Sequence, residues 1–387
     1  MLARFFLIFT LIAGQAWAQS FDTKARAAYV LDQRTGMVLL NKNGDEPLPP
    51  ASMSKLMTLF MTFEAIQRGT LSIDEKLPVS AHAASFGGST MFLDTRDRVS
   101  VEDLIRGIIV LSGNDACVVL AEALSPDGTE AGFARMMTAR ARELGMVNST
   151  FQNSSGWPAA GHRMSMKDLA ILADQLIRDF PTYYPLFAET EFAFDGRAPS
   201  NTRNRNPLLR LDIGADGLKT GHTQAAGYGL VGSAKQGNRR IIFVVTGLET
   251  QEDRAEESER LVNWAFRQFA EKVVAPAGNR IAEADVHMGD DHRVGLTTAE
   301  DVVLLIPTIG AEEIEAHVSY DSPVQAPIEE GQRIGELVIS IPGFAPTRTP
   351  LIASESIGVG GFVPRLRTAT EALRRQFLSG GETEGGA

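Results

Sequence analysis

From Phe21 to about Phe269, apolar positions alternate with polar ones near the two ends and recur every three to four residues in between. The stretch AAYVLDQRTGMVLLNKNGD predicts a hairpin turning at Arg34-Thr35-Gly36. Helical spacing predicts helices over Ser52 to Ile66, Val101 to Leu111, Asp115 to Leu124, Thr129 to Glu143 and Met166 to Arg178. Strand-like alternation returns in GYGLVGSAKQGNRRIIFVVTGLE, and ESERLVNWAFRQFAEK is expected to close as a helix. Strands at both ends with helices between imply one α/β sheet whose terminal strands pair. After VVAPAGNR the pattern changes to short β-rich runs (RIAEADVHM, RVGLTT, DVVLLIP, EAHVSYD, IGELVISIP) spaced by Gly, Pro and Asp. These predict a small all-β domain over 272–361, following a first domain over 19–271.

Both ends of the chain depart from these patterns. Arg4, the apolar run Phe5 to Ala13 and Ala16-Trp17-Ala18 are the three parts of a secretory leader, so residues 1–18 are expected to be removed and the remainder exported. If Phe362 to Phe377 is helical, Phe362, Val363, Leu366, Leu373 and Phe377 share one stripe, flanked by Arg365, Arg367 and Arg374. Four arginines against Glu371 reverse the sign of a chain whose net charge is −11. Residues 362–387 are therefore expected to form an amphipathic helix on an anionic membrane surface, followed by a polar tail. The same acidic balance argues against nucleic acid as a partner. Cys117 is the sole cysteine, so no internal disulfide is possible, and its apolar setting marks a buried structural thiol. No histidine pair has the spacing of a zinc site, with His287 and His292 read as surface residues of the β domain, so neither metal nor cofactor is expected.

The chemistry concentrates in PASMSKLMT, where Ser52 precedes Lys55 by one helical turn. A serine hydroxyl needs a base within hydrogen-bond reach, and side chains three apart on a helix share a face. Lysine becomes a base only when burial or a nearby cation lowers its pKa, and Leu56, Leu59, Phe60 and Phe63 promise an interior helix. About half an SxxK match is expected by chance, and a helix-start serine often serves as a cap, so the pair alone is weak. Two further motifs strengthen it: LSGND holds Ser112 and Asn114 at a break between apolar runs, and DGLKTGHT opens a strand with Lys219, Thr220 and Gly221. In that order the three form the constellation of penicillin-recognising acyl-serine enzymes. Ser112 can relay a proton, Asn114 can hold a substrate amide, and Lys219 can attract an anion while depressing the pKa of Lys55. Small Thr220 and Gly221 would let a substrate backbone lie along the strand, with the N–H groups of Ser52 and His222 as an oxyanion hole.

The sequence resembles the low-molecular-mass penicillin-binding proteins that act as D-alanyl-D-alanine carboxypeptidases. The likeness extends to NSSGWP, HRMSMKDLAIL, NRNPLL, DGLKTGHTQAAGYGL and ESERLVNWAF. It implies a β-lactamase-like domain with an antiparallel sheet and helices, an all-β domain and a C-terminal amphipathic helix. It also implies attachment to the periplasmic face of the cytoplasmic membrane, a peptidoglycan stem peptide as substrate and β-lactams as covalent inhibitors. Arg254 is implied beside the site, holding the substrate carboxylate, with Arg205 as a second arginine nearby; Pro207 stands where the family often has a polar residue. A cross-link endopeptidase, an inert penicillin-fold binding module and a β-lactamase remain open, the last needing a deacylating glutamate for which Glu189 and Glu191 are the residues at hand.

Overall fold

The computed structural model describes residues 21–198, 200–308 and 314–361. The expected leader and the segment from 362 onward lie outside the described residues. The chain divides into two compact units, Ser20–Arg267 and a second beginning at Gln268.

In the first unit the predicted hairpin forms as β1 (Ala27–Asp32) and β2 (Val38–Lys42). Asp32 closes the turn, its Oδ1 accepting from Thr35 N–H at 2.9 Å and Thr35 Oγ1 at 2.8 Å. Next come α1 (Lys55–Gln67), a small pair β3 (Lys76–Pro78) and β4 (Arg98–Ser100) enclosing α2 (Ala81–Ala84), then α3 (Val101–Arg106), α4 (Asn114–Leu124), α5 (Glu130–Glu143) and α6 (Met166–Asp179). Strands β5 (Ala215–Thr223), β6 (Gly227–Gln236) and β7 (Arg239–Leu248) return to the sheet before α7 (Gln251–Arg267). The sheet is antiparallel throughout, ordered β2-β1-β7-β6-β5, so the first and last parts of the unit meet at β1 and β7, with Val30 opposite Phe243. Helix α1 is apolar nearly all round and is buried among its neighbours, with Leu56, Leu59 and Phe63 wholly inaccessible.

Two predicted helices differ from expectation. The one expected over Val101–Leu111 is α-helical only to Arg106; Gly107–Leu111 widens into a π turn ending at Ser112, whose φ is +63°. Met91 packs directly on Gly107 at the start of this turn, where a Cβ would fall 2.1 Å from Met91 Sδ. The closing helix stops at Arg267, and Phe269–Ala275 is a strand, β8, of the second unit, which moves the division ahead of the expected boundary at 271.

The second unit is all β. Strand β8 pairs with Val302–Pro307, and the other strands are β9 (Ala282–His287), β10 (Arg293–Thr297), then, after β11 at Val302–Pro307, β12 (Glu315–Tyr320), β13 (Val324–Gln325), β14 (Arg333–Ser340) and β15 (Thr347–Ala353). They form a sheet ordered β12-β14-β15-β10-β9-β13 beside the β8–β11 pair. Among the described residues no helix is long and apolar enough to cross a membrane.

Candidate active site

Ser52 lies in a tight 3-10 turn, Ala51–Ser54, that leads straight into α1. No side chain caps either element, so a capping role does not account for Ser52. Lys55, the first residue of α1, is fully buried. Its Nζ is 2.9 Å from Ser52 Oγ, 2.7 Å from Asn114 Oδ1 and 2.7 Å from the Ser155 carbonyl. The two oxygens other than Ser52 can only accept. A neutral Lys55 must therefore spend both its N–H groups on them, which aims its lone pair at the serine hydroxyl. Burial is the main reason the Lys55 pKa falls to about 8; Arg205 adds to the lowering, while Cys117, Asp115 and Glu130 oppose it.

Lys219 is likewise buried, and its Nζ donates to Ser112 Oγ at 2.9 Å and to the Thr220 carbonyl at 3.2 Å. Burial first, then Lys55 and Arg205, hold its pKa well below the lysine range. Sequence reasoning made Lys219 a cation that depresses Lys55; two buried amines disfavour each other's charge, and Arg205 adds to the lowering at both. Ser112, the expected proton relay, is bonded to Lys219, and the residue bridging Lys55 to the second motif is Asn114. Asn114 also donates one Nδ2 hydrogen to the Gly87 carbonyl at 2.8 Å, and its amide has a second N–H with which to meet a substrate. Asp115 fixes the loop above: its carboxylate accepts from the N–H groups of Met91, Leu93 and Ala116.

Strand β5 brings the Lys-Thr-Gly motif against the Ser52 turn. A Cβ on Gly221 would lie 3.0 Å from the Pro50 carbonyl and from Met53 Cγ, so glycine is what lets the strand come this close. His222 is exposed, and its ring stacks on Tyr228 at 3.9 Å. Arg254 approaches the Tyr228 ring at 5.6 Å, is buried, and leaves Nε without a hydrogen-bond partner. Its Nη2 donates to the Arg205 carbonyl at 3.3 Å. Arg205 reaches Ser89 Oγ at 2.6 Å and Asn201 Oδ1 at 3.2 Å, and Pro207 opens a short 3-10 turn capped by Asn206. Glu189 pairs with Arg106 and Glu191 with Arg203. Cys117 is buried and its thiol is pushed up to about 12 by that burial.

Three contributors escaped sequence reasoning. The Ser155 carbonyl acts through backbone, which residue type does not reveal. Asn153 holds that backbone in place, its Oδ1 accepting from the N–H groups of Ser155, Gly156 and Trp157; an Asn followed by Ser-Ser-Gly is a readable turn signal. His162 Nε2 is 2.8 Å from Ser54 Oγ, and burial lowers its pKa to about 4, so it is a neutral structural group. Gly156 has φ +78°, and a Cβ there would sit 1.9 Å from the Ala51 carbonyl. Gly156→Ala is therefore expected to destabilise the first unit by at least about 2 kcal/mol and to slow reaction at Ser52. Urea unfolding and penicillin-labelling rates measured together would check this, and an unchanged midpoint would refute it. Among the described residues no cluster of His, Cys, Asp and Glu could hold a metal ion.

Comparison with known proteins was made on this geometry. Residues 14–250 match the family model of D-alanyl-D-alanine carboxypeptidase, and residues 269–358 match the C-terminal domain of penicillin-binding protein 5. The D-alanyl-D-alanine carboxypeptidase DacC of Escherichia coli is 36% identical over 92% of this chain and 90% of its own. Penicillin-binding protein 5 from Haemophilus influenzae superposes with a TM-score of 0.75 at 34% identity, covering 87% of this chain and 98% of that one. Penicillin-binding protein D2 from Listeria monocytogenes, solved in an ampicillin-bound form, is 33% identical with a TM-score of 0.57 over 63% of this chain and 98% of its own. With relatives aligned along nearly its whole length and the family model spanning most of the unit that holds Ser52, this chain belongs to the D-alanyl-D-alanine carboxypeptidase family of low-molecular-mass penicillin-binding proteins.

Proposed function

We propose that this chain is a serine-type D-Ala-D-Ala carboxypeptidase that removes the terminal D-alanine from peptidoglycan stem pentapeptides and is acylated by β-lactams. The observation that carries the reading is the buried Lys55 amine, 2.9 Å from Ser52 Oγ with a pKa near 8. In the proposed reaction neutral Lys55 takes the Ser52 proton as Oγ bonds to the penultimate D-alanine carbonyl carbon. The N–H groups of Ser52 and His222 receive the oxyanion. Collapse breaks the C–N bond, the proton passes by way of Ser112 to the departing amine, and water then hydrolyses the ester. Lys219, Thr220 and the unpaired Arg254 Nε meet the substrate carboxylate, with Gly221 leaving room for its backbone and Arg205 close by. The engagement of Glu189 and Glu191 by arginines supports a peptidase over a β-lactamase. Free D-alanine should appear when the exported portion is incubated with a diacylated Lys-D-Ala-D-Ala peptide. Absence of release, with rapid penicillin turnover instead, would favour the β-lactamase.

We further propose export to the periplasm and peripheral attachment to the outer face of the cytoplasmic membrane. The leader-like residues 1–18 and the arginine-flanked apolar stripe of 362–377 support this reading. Deleting Phe362 to Ala387 is expected to abolish co-sedimentation with anionic vesicles and spare D-alanine release. Unchanged sedimentation would overturn the attachment.

A further inference from the structure

The Ser155 carbonyl that meets Lys55 belongs to a stretch between α5 and α6 that is neither helix nor strand, so its position depends on what grips it. Asn153 grips it from within. Two side chains grip it from outside, both at Ser154. Thr58 Oγ1, one turn after Lys55 on α1, donates to the Ser154 carbonyl at 2.6 Å. Glu130 Oε1 accepts from the Ser154 N–H at 3.0 Å and from Ser154 Oγ at 2.6 Å. Glu130 opens α5 directly after its cap, Thr129, so the helix start fixes its backbone. An acid in a first turn ordinarily lies in solvent, where it complements the helix dipole. The side chain of this one is only 10% exposed, and it is committed to Ser154, which is wholly inaccessible. Its other oxygen is 3.2 Å from His82 Nε2 on α2. Covering a carboxylate is costly unless its oxygens are bonded, and here those bonds lead to the partner of Lys55.

Resting on the acyl-serine reading, we propose that Glu130 is a positioning residue for the base: through Ser154 it holds the Ser155 carbonyl on the Lys55 amine, and it sets a negative charge behind that amine. The first part decides where the lone pair points. A neutral Lys55 aims at Ser52 only while both of its N–H groups are taken, and the Ser155 carbonyl takes one of them. The second part decides how readily the amine becomes neutral, since a nearby carboxylate favours the ammonium. The grip therefore speeds acylation at every pH, whereas the charge slows it on the acid side. Besides Glu130, the titratable groups facing Lys55 are Cys117 and Asp115 on α4, Arg205, Lys219 on β5 and His162. His82 faces Glu130. All of these are common to a set of variants that differ only at position 130.

The test follows acylation by a fluorescent penicillin from about pH 5.5 to about pH 9.5 in wild type and three variants. Glu130→Gln keeps an acceptor for Ser154 and loses the charge. Its plateau should stay within about twofold of wild type while the acid limb moves down by roughly half a pH unit, making acylation near pH 6 about threefold faster. Glu130→Asp keeps the charge but falls one methylene short of Ser154, so its plateau should drop roughly tenfold with the acid limb nearly in place. Glu130→Ala should show both changes. The glutamine profile is repeated in a His82→Gln background, against His82→Gln alone, so that a histidine proton cannot account for the shift. Urea midpoints check that each variant is folded. An acid limb that stays put in Glu130→Gln, a shift that vanishes in the His82→Gln background, or plateaus unchanged in Glu130→Asp and Glu130→Ala would overturn the assignment and leave the acyl-serine reading standing. Equal slowing of all three variants with no movement of the limb would also overturn it, marking a merely structural residue. If penicillin does not label Ser52 in the wild-type protein, the acyl-serine reading fails and this assignment with it.

Discussion

Lys55→Met is expected to slow acylation by a fluorescent penicillin roughly 10³-fold or more, and Ser52→Ala to abolish it. Methionine fills the volume of the lysine stem, so the α1 core stays packed. It strands two acceptors, Asn114 Oδ1 and the Ser155 carbonyl, at a cost of about 1–3 kcal/mol each. It also removes a buried charge, which offsets part of that loss. The fold should therefore survive while the chemistry does not. Lys55→Arg separates the two possible contributions of the residue. A guanidinium keeps the charge but cannot give up its proton, so this variant should be as slow as the methionine one. A loss smaller than tenfold in either lysine variant would show that Ser52 is activated by something else.

A second large effect is expected from pH alone. Only the neutral Lys55 amine can accept the Ser52 proton, and burial sets its pKa near 8. Acylation should rise through that value toward a plateau and fall about tenfold per unit below it, reaching roughly one hundredth of the plateau near pH 6. A profile that is flat between pH 6 and pH 8 would exclude Lys55 as the base. Stability should respond in the same direction. An unfolded chain holds the lysine proton up to the ordinary value of 10.5, whereas the folded chain releases it near 8. Below about 8 both states are charged and the cost of burying the ammonium is fully present; between 8 and 10.5 the unfolded state binds more protons, so this group makes stability rise with pH.

Much of this site is legible in the sequence because its parts sit where local rules speak clearly. Ser52 and Lys55 are one helical turn apart, LSGND interrupts two apolar runs, and Lys-Thr-Gly opens a strand. The pairing of β1 with β7 also follows from strands at both ends of a helical stretch. What could not be read has specific causes. The π turn at Gly107–Leu111 has the same apolar spacing as a helix, so periodicity does not distinguish the two. Strand β15 contains Pro350, which argues against a paired strand, yet it lies between β14 and β10. The hydrogen bonds of the two amines, Lys55 to Asn114 and Lys219 to Ser112, could not be read because Asn114 and Ser112 are two residues apart and follow a left-handed backbone at Ser112 that no residue type announces.

Two ammonium-forming side chains, at positions 55 and 219, sit where a core would normally hold leucine. Selection for reactivity and selection for robustness thus pull this chain in opposite directions. A lineage released from the need to cut peptides would be expected to exchange both for greasy residues and melt at a higher temperature. Among natural sequences of this fold, the hardiest should be those that have fallen catalytically silent.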